Sequence, residues 1–194
     1  MRRLLFPMTA ALVAGCSLLG TTDYGSERFE REQTETWPVR LISRVKVRNV
    51  NGNVSVSAVA GDTATAKITR YCTGKDKADA EAHIDLVLVS VEVADGVLTV
   101  QVQVPEDDPR TFGADIEIAV PEGTVTDLES VNGNIGVEGI GAAMEFETTN
   151  GNITTRGVAG NITAGSTNGQ LDIDMAALLA FYRVRLLRQT ATRR

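Results

Sequence analysis

The side chains able to do chemistry are few and scattered. The chain has one histidine, His83, at the entry to a strand-like run, so a histidine-built zinc site or a nucleophile–histidine triad has little to build on. A surface histidine is the simpler reading. No Gly-rich phosphate loop ending in Lys-Ser/Thr occurs, and no Cys-x-x-Cys pair. Carboxylates are plentiful: Asp107, Asp108, Asp115, Glu117, Glu145, Glu147, Asp172 and Asp174 could bind Ca²⁺ or form an acid–base pair. Alternation, however, puts most of them on the solvent face of strands, where charge serves solvation. The nonapeptide Ca²⁺ repeat is missing from the sequence. No catalytic residue, metal ligand or cofactor is expected, and the chain does not read as an enzyme.

The elements that would position these side chains are set by a repeat. Asn-Gly recurs at Asn132-Gly133, Asn150-Gly151 and Asn168-Gly169, each 18 residues after the last. Three residues after each Asn stands Ile135, Ile153 or Leu171; five after stands Val137, Thr155 or Ile173. Met144 and Ile162 follow at twelve. Asn51-Gly52 opens a further copy, with Val54, Val56 and Val59 at the three, five and eight offsets, so a coil over 51–68 is expected to match those at 132–149 and 150–167. Between corners, apolar residues alternate with polar ones, the period of a half-buried strand. A fixed period carrying one apolar set predicts an all-β fold, a single-stranded β-solenoid resembling a β-helix. Stacked coils would align Asn51, Asn132, Asn150 and Asn168 as a structural ladder, with Gly52, Gly133, Gly151 and Gly169 beside them at the turn. Both residue types tolerate φ > 0 there. The alternative is an antiparallel β meander or sandwich, because Asn-Gly between alternating runs is also a strong hairpin signal.

Residues 1–15 read as a lipoprotein signal peptide. Arg2 and Arg3 precede an apolar stretch too short to span a bilayer, and Val13-Ala14-Gly15-Cys16 resembles a bacterial lipobox. In that motif the cysteine becomes the N-terminus and carries lipid, so Cys16 is the expected lipidation site and membrane anchor. Cys72, the only other cysteine, is then left as a buried or half-buried thiol. Residues 16–37 mix Gly, Ser, Thr and charge without a clear period and read as a tether. The β-domain is expected over 38–174, with Trp37 as a cap on its first strand.

An interruption over 69–131 separates the first repeat from the others. Residues 76–83 suit a short helical turn, and the runs 84–93 and 97–104 flank Ala94-Asp95-Gly96, an inserted hairpin. Residues 175–194 break the pattern. Of the 19 Lys and Arg, two lie in the signal and five in this tail, leaving 12 against all 25 acidic residues between, a net charge of −13 on the body. The basic tail reads as a helical cap on the open end, a lipid-facing amphipathic helix, or the product of a frameshift.

The signal, the tether and the recurring V-N-G-N-[IV] with Gly-rich second corners resemble the bacterial putative-adhesin family over about 39–174. That resemblance implies a β-solenoid and attachment at the cell surface, with no binding residue to carry over. The expected function is a lipid-anchored lipoprotein of the cell envelope, at the outer membrane if Gram-negative and otherwise at the cell surface. It would display an acidic β-solenoid for adhesion, binding or scaffolding. Its partners would be the membrane, through lipid on Cys16, and an envelope glycan or protein. The acidic body argues against nucleic acid. One alternative is a structural protein that self-associates end to end. Another is a polysaccharide-active β-helix enzyme, which would need a cleft of Asp, Arg or Lys and aromatics from a chain with only nine aromatic residues.

Overall fold

The structure is a computed structural model that describes residues 27–176 and 183–188. Cys16 and the signal segment lie outside the described residues. Strands come in chain order as β1 (Glu27–Pro38), β2 (Arg44–Asn51), β3 (Val54–Ala58) and β4 (Thr63–Gly74). Helix α1 (Lys77–His83), with Asp76 capping its first turn, leads through a 3-10 turn at Ile84–Leu86. Strands β5 (Leu88–Ala94), β6 (Val97–Gln103) and β7 (Thr111–Val120) follow. The repeat supplies β8 (Val125–Asn132), β9 (Ile135–Glu138), β10 (Met144–Asn150), β11 (Ile153–Val158), β12 (Ile162–Asn168) and β13 (Leu171–Met175). The last is β14 (Val184–Arg188).

These strands form two mixed seven-stranded sheets, ordered β1-β4-β7-β3-β9-β11-β13 and β14-β12-β10-β8-β2-β6-β5. Each Asn-Gly corner passes the chain from one sheet to the other. Strands of successive repeats pair in parallel, so Phe146 stands beside Leu128 and Ala164, and Ile153 beside Ile135 and Leu171. Their inner residues merge into one core cluster. Among the described residues, antiparallel pairing is confined to β1 with β4, β4 with β7, and β5 with β6.

The corner glycines owe their identity to close approach rather than to φ. Of the four, only Gly52 has a positive φ, +120°. A Cβ on Gly151 would overlap the carbonyl oxygen of Gly133, and one on Gly133 that of Gly52. Nothing but hydrogen fits between stacked backbones there.

Four expectations are corrected. Residues 27–37, read as tether, form most of β1, which pairs along its whole length with β4. The unit over 51–68 keeps the template only through β3. Its twelfth residue after Asn51 is polar Thr63, not Met144 or Ile162, and the chain turns at Gly61 (φ +142°) into the antiparallel β4. The stretch 84–93 begins as the 3-10 turn, and the strand starts only at Leu88. In the tail, 184–188 is a strand on the edge of β12 and not a helix, because that edge offers an unpaired backbone ladder which outweighs local preference. The insertion is no mere appendage either. Strand β6 pairs parallel with β2, and β7 parallel with β3, so the inserted segment extends both sheets. The Asp95-Gly96 turn has both residues at positive φ, 51° and 81°, as a two-residue hairpin requires.

Candidate functional site

The corner is the most regular site in the molecule. Asn132 Nδ2 donates to Asn51 Oδ1, Asn150 to Asn132, and Asn168 to Asn150, each at 2.8 Å. Asn51 Nδ2 closes the row on the Phe112 carbonyl at 2.8 Å. A second row runs beside it: Asn53 Oδ1 accepts from the Asn134 backbone N–H, Asn134 from Asn152, and Asn152 from Gln170. Inside the corner, buried Thr148 and Ser166 donate to the carbonyls of Gly133 and Gly151 at 3.0 and 2.8 Å. Buried Asn49 does the same for Gly52 at 3.0 Å. The signal for this inner row was the residue two before each Asn-Gly, which is Asn49, Ser130, Thr148 or Ser166. Each bond contributes about 1 kcal/mol, and the rows fix the register of the strands between them.

That register turns outward side chains into columns. On the outer face of the second sheet, Asp127 stands beside Glu145, and Glu129 beside Glu147. Arg48 clamps one side of this quartet, donating to both oxygens of Asp127 at 2.8 and 3.0 Å and lying 2.8 Å from Glu129. Glu145 and Glu147 are exposed and, among the described residues, form no ion pair within 4.0 Å. Carboxylates set one strand apart repel, and on the next strand Lys46 and Arg48 stand beside Asp127 and Glu129. Of the other carboxylates named from the sequence, Asp115 pairs with Arg28 at 3.0 Å and Glu117 with Lys67 at 3.7 Å. Asp107 is exposed in a loop, and Asp172 and Asp174 are exposed on β13. Among the described residues, no group of three or more His, Cys, Asp or Glu is placed to hold a metal. Among the threonines of the repeat, Thr148 and Thr155 are buried, while Thr154 and Thr163 belong to different sheets.

A second cluster ties α1 to the loop before β7. Arg110 forks onto Asp79 at 2.7 and 3.1 Å and reaches Asp108 at 3.1 Å. His83 Nδ1 lies 2.7 Å from the Asp79 carbonyl, and buried Cys72 sits nearby with its thiol pKa pushed up by burial. The Arg110 hydrogen bond lowers the Asp79 pKa to about 2. A carboxylate lowered in the folded state stabilises above its unfolded pKa, and the contribution is lost as pH falls through the folded value. Asp79→Asn should therefore leave a stability gap to wild type that is constant above pH about 4 and closes toward pH 2. Urea midpoints measured across that range check this; a gap unchanged at pH 2 would show that the charge is not the cause.

Two grooves lie on the described surface. One, of about 440 Å³, is lined by Arg48, Asn49, Gln101, Gln103, Glu106 and Glu129 among others. The other, of about 480 Å³, lies between Asn161, Thr163, Arg183 and Arg185. Among the described residues, no helix is long and apolar enough to cross a membrane, which says nothing of anchoring through lipid.

Fold and site together define an all-β protein whose asparagine-laddered corner joins two mixed sheets and holds a carboxylate face in fixed columns. No protein-family model matches the chain, and no curated protein matches it. Nine solved chains match in structure. One is a putative cell adhesion protein from Clostridium sporogenes ATCC 15579, 9% identical, covering 82% of this chain and 100% of that chain, with a TM-score of 0.35. Another is a putative adhesin from Parabacteroides distasonis ATCC 8503, 10% identical over 74% of this chain and 66% of that chain, TM-score 0.35. A third is a putative adhesin from Bacteroides fragilis NCTC 9343, 12% identical over 81% of this chain and 95% of that chain, TM-score 0.27. Similarity of this size leaves fold and role to be argued from this chain's own residues.

Proposed function

We propose that the chain is a lipid-anchored protein of the bacterial cell envelope that displays a short acidic β-solenoid for adhesion or binding, without catalysis. The solenoid reading is supported by the parallel register at 18-residue offset on both sheets, with inner residues stacked in columns such as Ile135, Ile153 and Leu171. The observation that carries the binding role is the face where Asp127 and Glu129 stand beside Glu145 and Glu147. A flat array at strand spacing suits recognition of an extended partner rather than enclosure of a small substrate. The partner it fits presents amino or guanidinium groups at matching intervals. Anchoring is assigned to Cys16 from its lipobox.

Two measurements test this. Cells fed radiolabelled palmitate should label the wild-type chain and not Cys16→Ser, which should leave the membrane fraction. Equal labelling of the two removes the anchor. The full chain, incubated with arrayed envelope glycans and proteins, should be retained without releasing product, and Glu145→Lys/Glu147→Lys should weaken retention. Release of unsaturated or reducing sugar would instead make it a polysaccharide-active enzyme.

A further inference from the structure

The two ends of the stack differ. At one end β1 extends beyond β4, and α1 packs against both strands with Ala80 buried, Ile84 and Val87 following it into the core. At the other end β13 is the last strand of the first sheet and β14 of the second. Among the described residues, nothing pairs with the outer edge of either. Leu171, Ile173 and Met175 are half-buried there, and Val184 and Leu186 are 42% and 51% exposed. The donors that each earlier corner uses on its neighbour find no described partner at the last one. Gly133 N–H donates to Asn150 O and Gly151 N–H to Asn168 O, whereas Gly169 has no such acceptor among the described residues.

The two edges carry opposite charge. The outward residues of β13 are Asp172 and Asp174; on β14, Arg185 stands outward beside Thr163, with Arg183 just before the strand. We propose that this end is an interface between two copies of the chain, related by a twofold axis along the strands. Such an axis exchanges the two sheets, so β13 of each copy adds to β14 of the other as an antiparallel pair. The register that sets Asp174 opposite Arg185 also sets Ile173 opposite Leu186 and Met175 opposite Val184. Ile173, Met175, Val184 and Leu186 then face the shared core, and Asp174 and Arg185 face water. Asp172 lies diagonal to the same Arg185, within reach of a long side chain. Both pairings occur twice, as an isologous contact demands. Because a twofold contact uses this end of both copies, association closes at two and makes no fibre.

This inference stands apart from the envelope reading and holds whether or not Cys16 carries lipid. The test uses the full chain with Cys16→Ser, so that acyl chains cannot cause association, in sedimentation equilibrium over a concentration series. Wild type should be dimeric and weaken with salt. Asp174→Arg and Arg185→Asp should each raise the dissociation constant about tenfold or more, since each places like charges opposite one another twice per dimer. A one-to-one mixture of the two variants should dimerise again, because both contacts become opposite in charge. That mixture also controls for folding: variants that had lost their structure would not recover. A monomeric wild type, a mixture that stays monomeric, or open-ended growth beyond the dimer would each overturn the proposal.

Discussion

Replacing Gly151 with alanine should destabilise the protein by roughly 3 kcal/mol, the upper part of the range for forcing an atom into a packed site. In a domain of this size that corresponds to a fall in Tm of roughly 6–12 °C. The added methyl would overlap the carbonyl oxygen and carbon of Gly133, and both are backbone atoms that no rotamer change can move aside. Separating them means lifting one corner off the next. That would stretch the hydrogen bond from Asn150 Nδ2 to Asn132 Oδ1 and the one from Thr148 to the Gly133 carbonyl together. Gly136 provides the control. It lies in β9 of the preceding repeat, yet a Cβ there meets nothing within 4 Å. Gly136→Ala should be neutral or stabilise by about 0.5 kcal/mol through the unfolded chain. Thermal unfolding of both variants separates the explanations: equal small effects would mean that the corners are not in contact.

The contrast between these two glycines also shows what the sequence conveys and what it hides. Asn-Gly at a constant spacing announces a corner, but a glycine needed for φ and a glycine needed for close approach look identical in a sequence. Only the stacked backbones tell them apart, and Gly133, Gly151 and Gly169 fall in the second group. The ladder asparagines were legible because each repeats the same neighbours at the same offset. The inner hydroxyls were equally periodic, but Ser130, Thr148 and Ser166 look like ordinary polar strand residues until their buried position is known.

Strand β1 was illegible for another reason. Its residues from Arg28 to Thr36 are almost all charged or polar, with Phe29 and Trp37 as the apolar contacts, so the stretch resembles a tether. Edge strands are kept from pairing with other chains by charge, which is the feature that disguised this one. Strands β6 and β7 lack Asn-Gly between them, and their places beside β2 and β3 come from pairings across 50 residues or more, which no local pattern encodes. The Arg110 clamp on Asp79 and Asp108 is likewise a product of that insertion.

Phe146→Ala should cost about 3–5 kcal/mol, the range for deleting a buried aromatic side chain. Phe146 is 1% exposed and sits in an inner column that runs Val100, Val47, Leu128, Phe146, Ala164 and Leu186 across the second sheet. The ring stands next to the smallest residue of that column, and Ala164 is itself fully buried, so the two share one volume between adjacent repeats. Phe146→Leu keeps most of that volume and should cost about 1–1.5 kcal/mol. Ala164→Phe alone overfills the site and should cost roughly 1–3 kcal/mol. Combining Phe146→Ala with Ala164→Phe moves the ring by one strand, and the pair should cost less than the sum of the singles by about 1 kcal/mol or more, as contacting residues do. Urea unfolding of the four chains with unchanged m-values measures that coupling. Additive costs would mean that adjacent repeats do not share a core at this column, because the parallel register is the only feature that makes residues 18 apart in sequence compete for the same space.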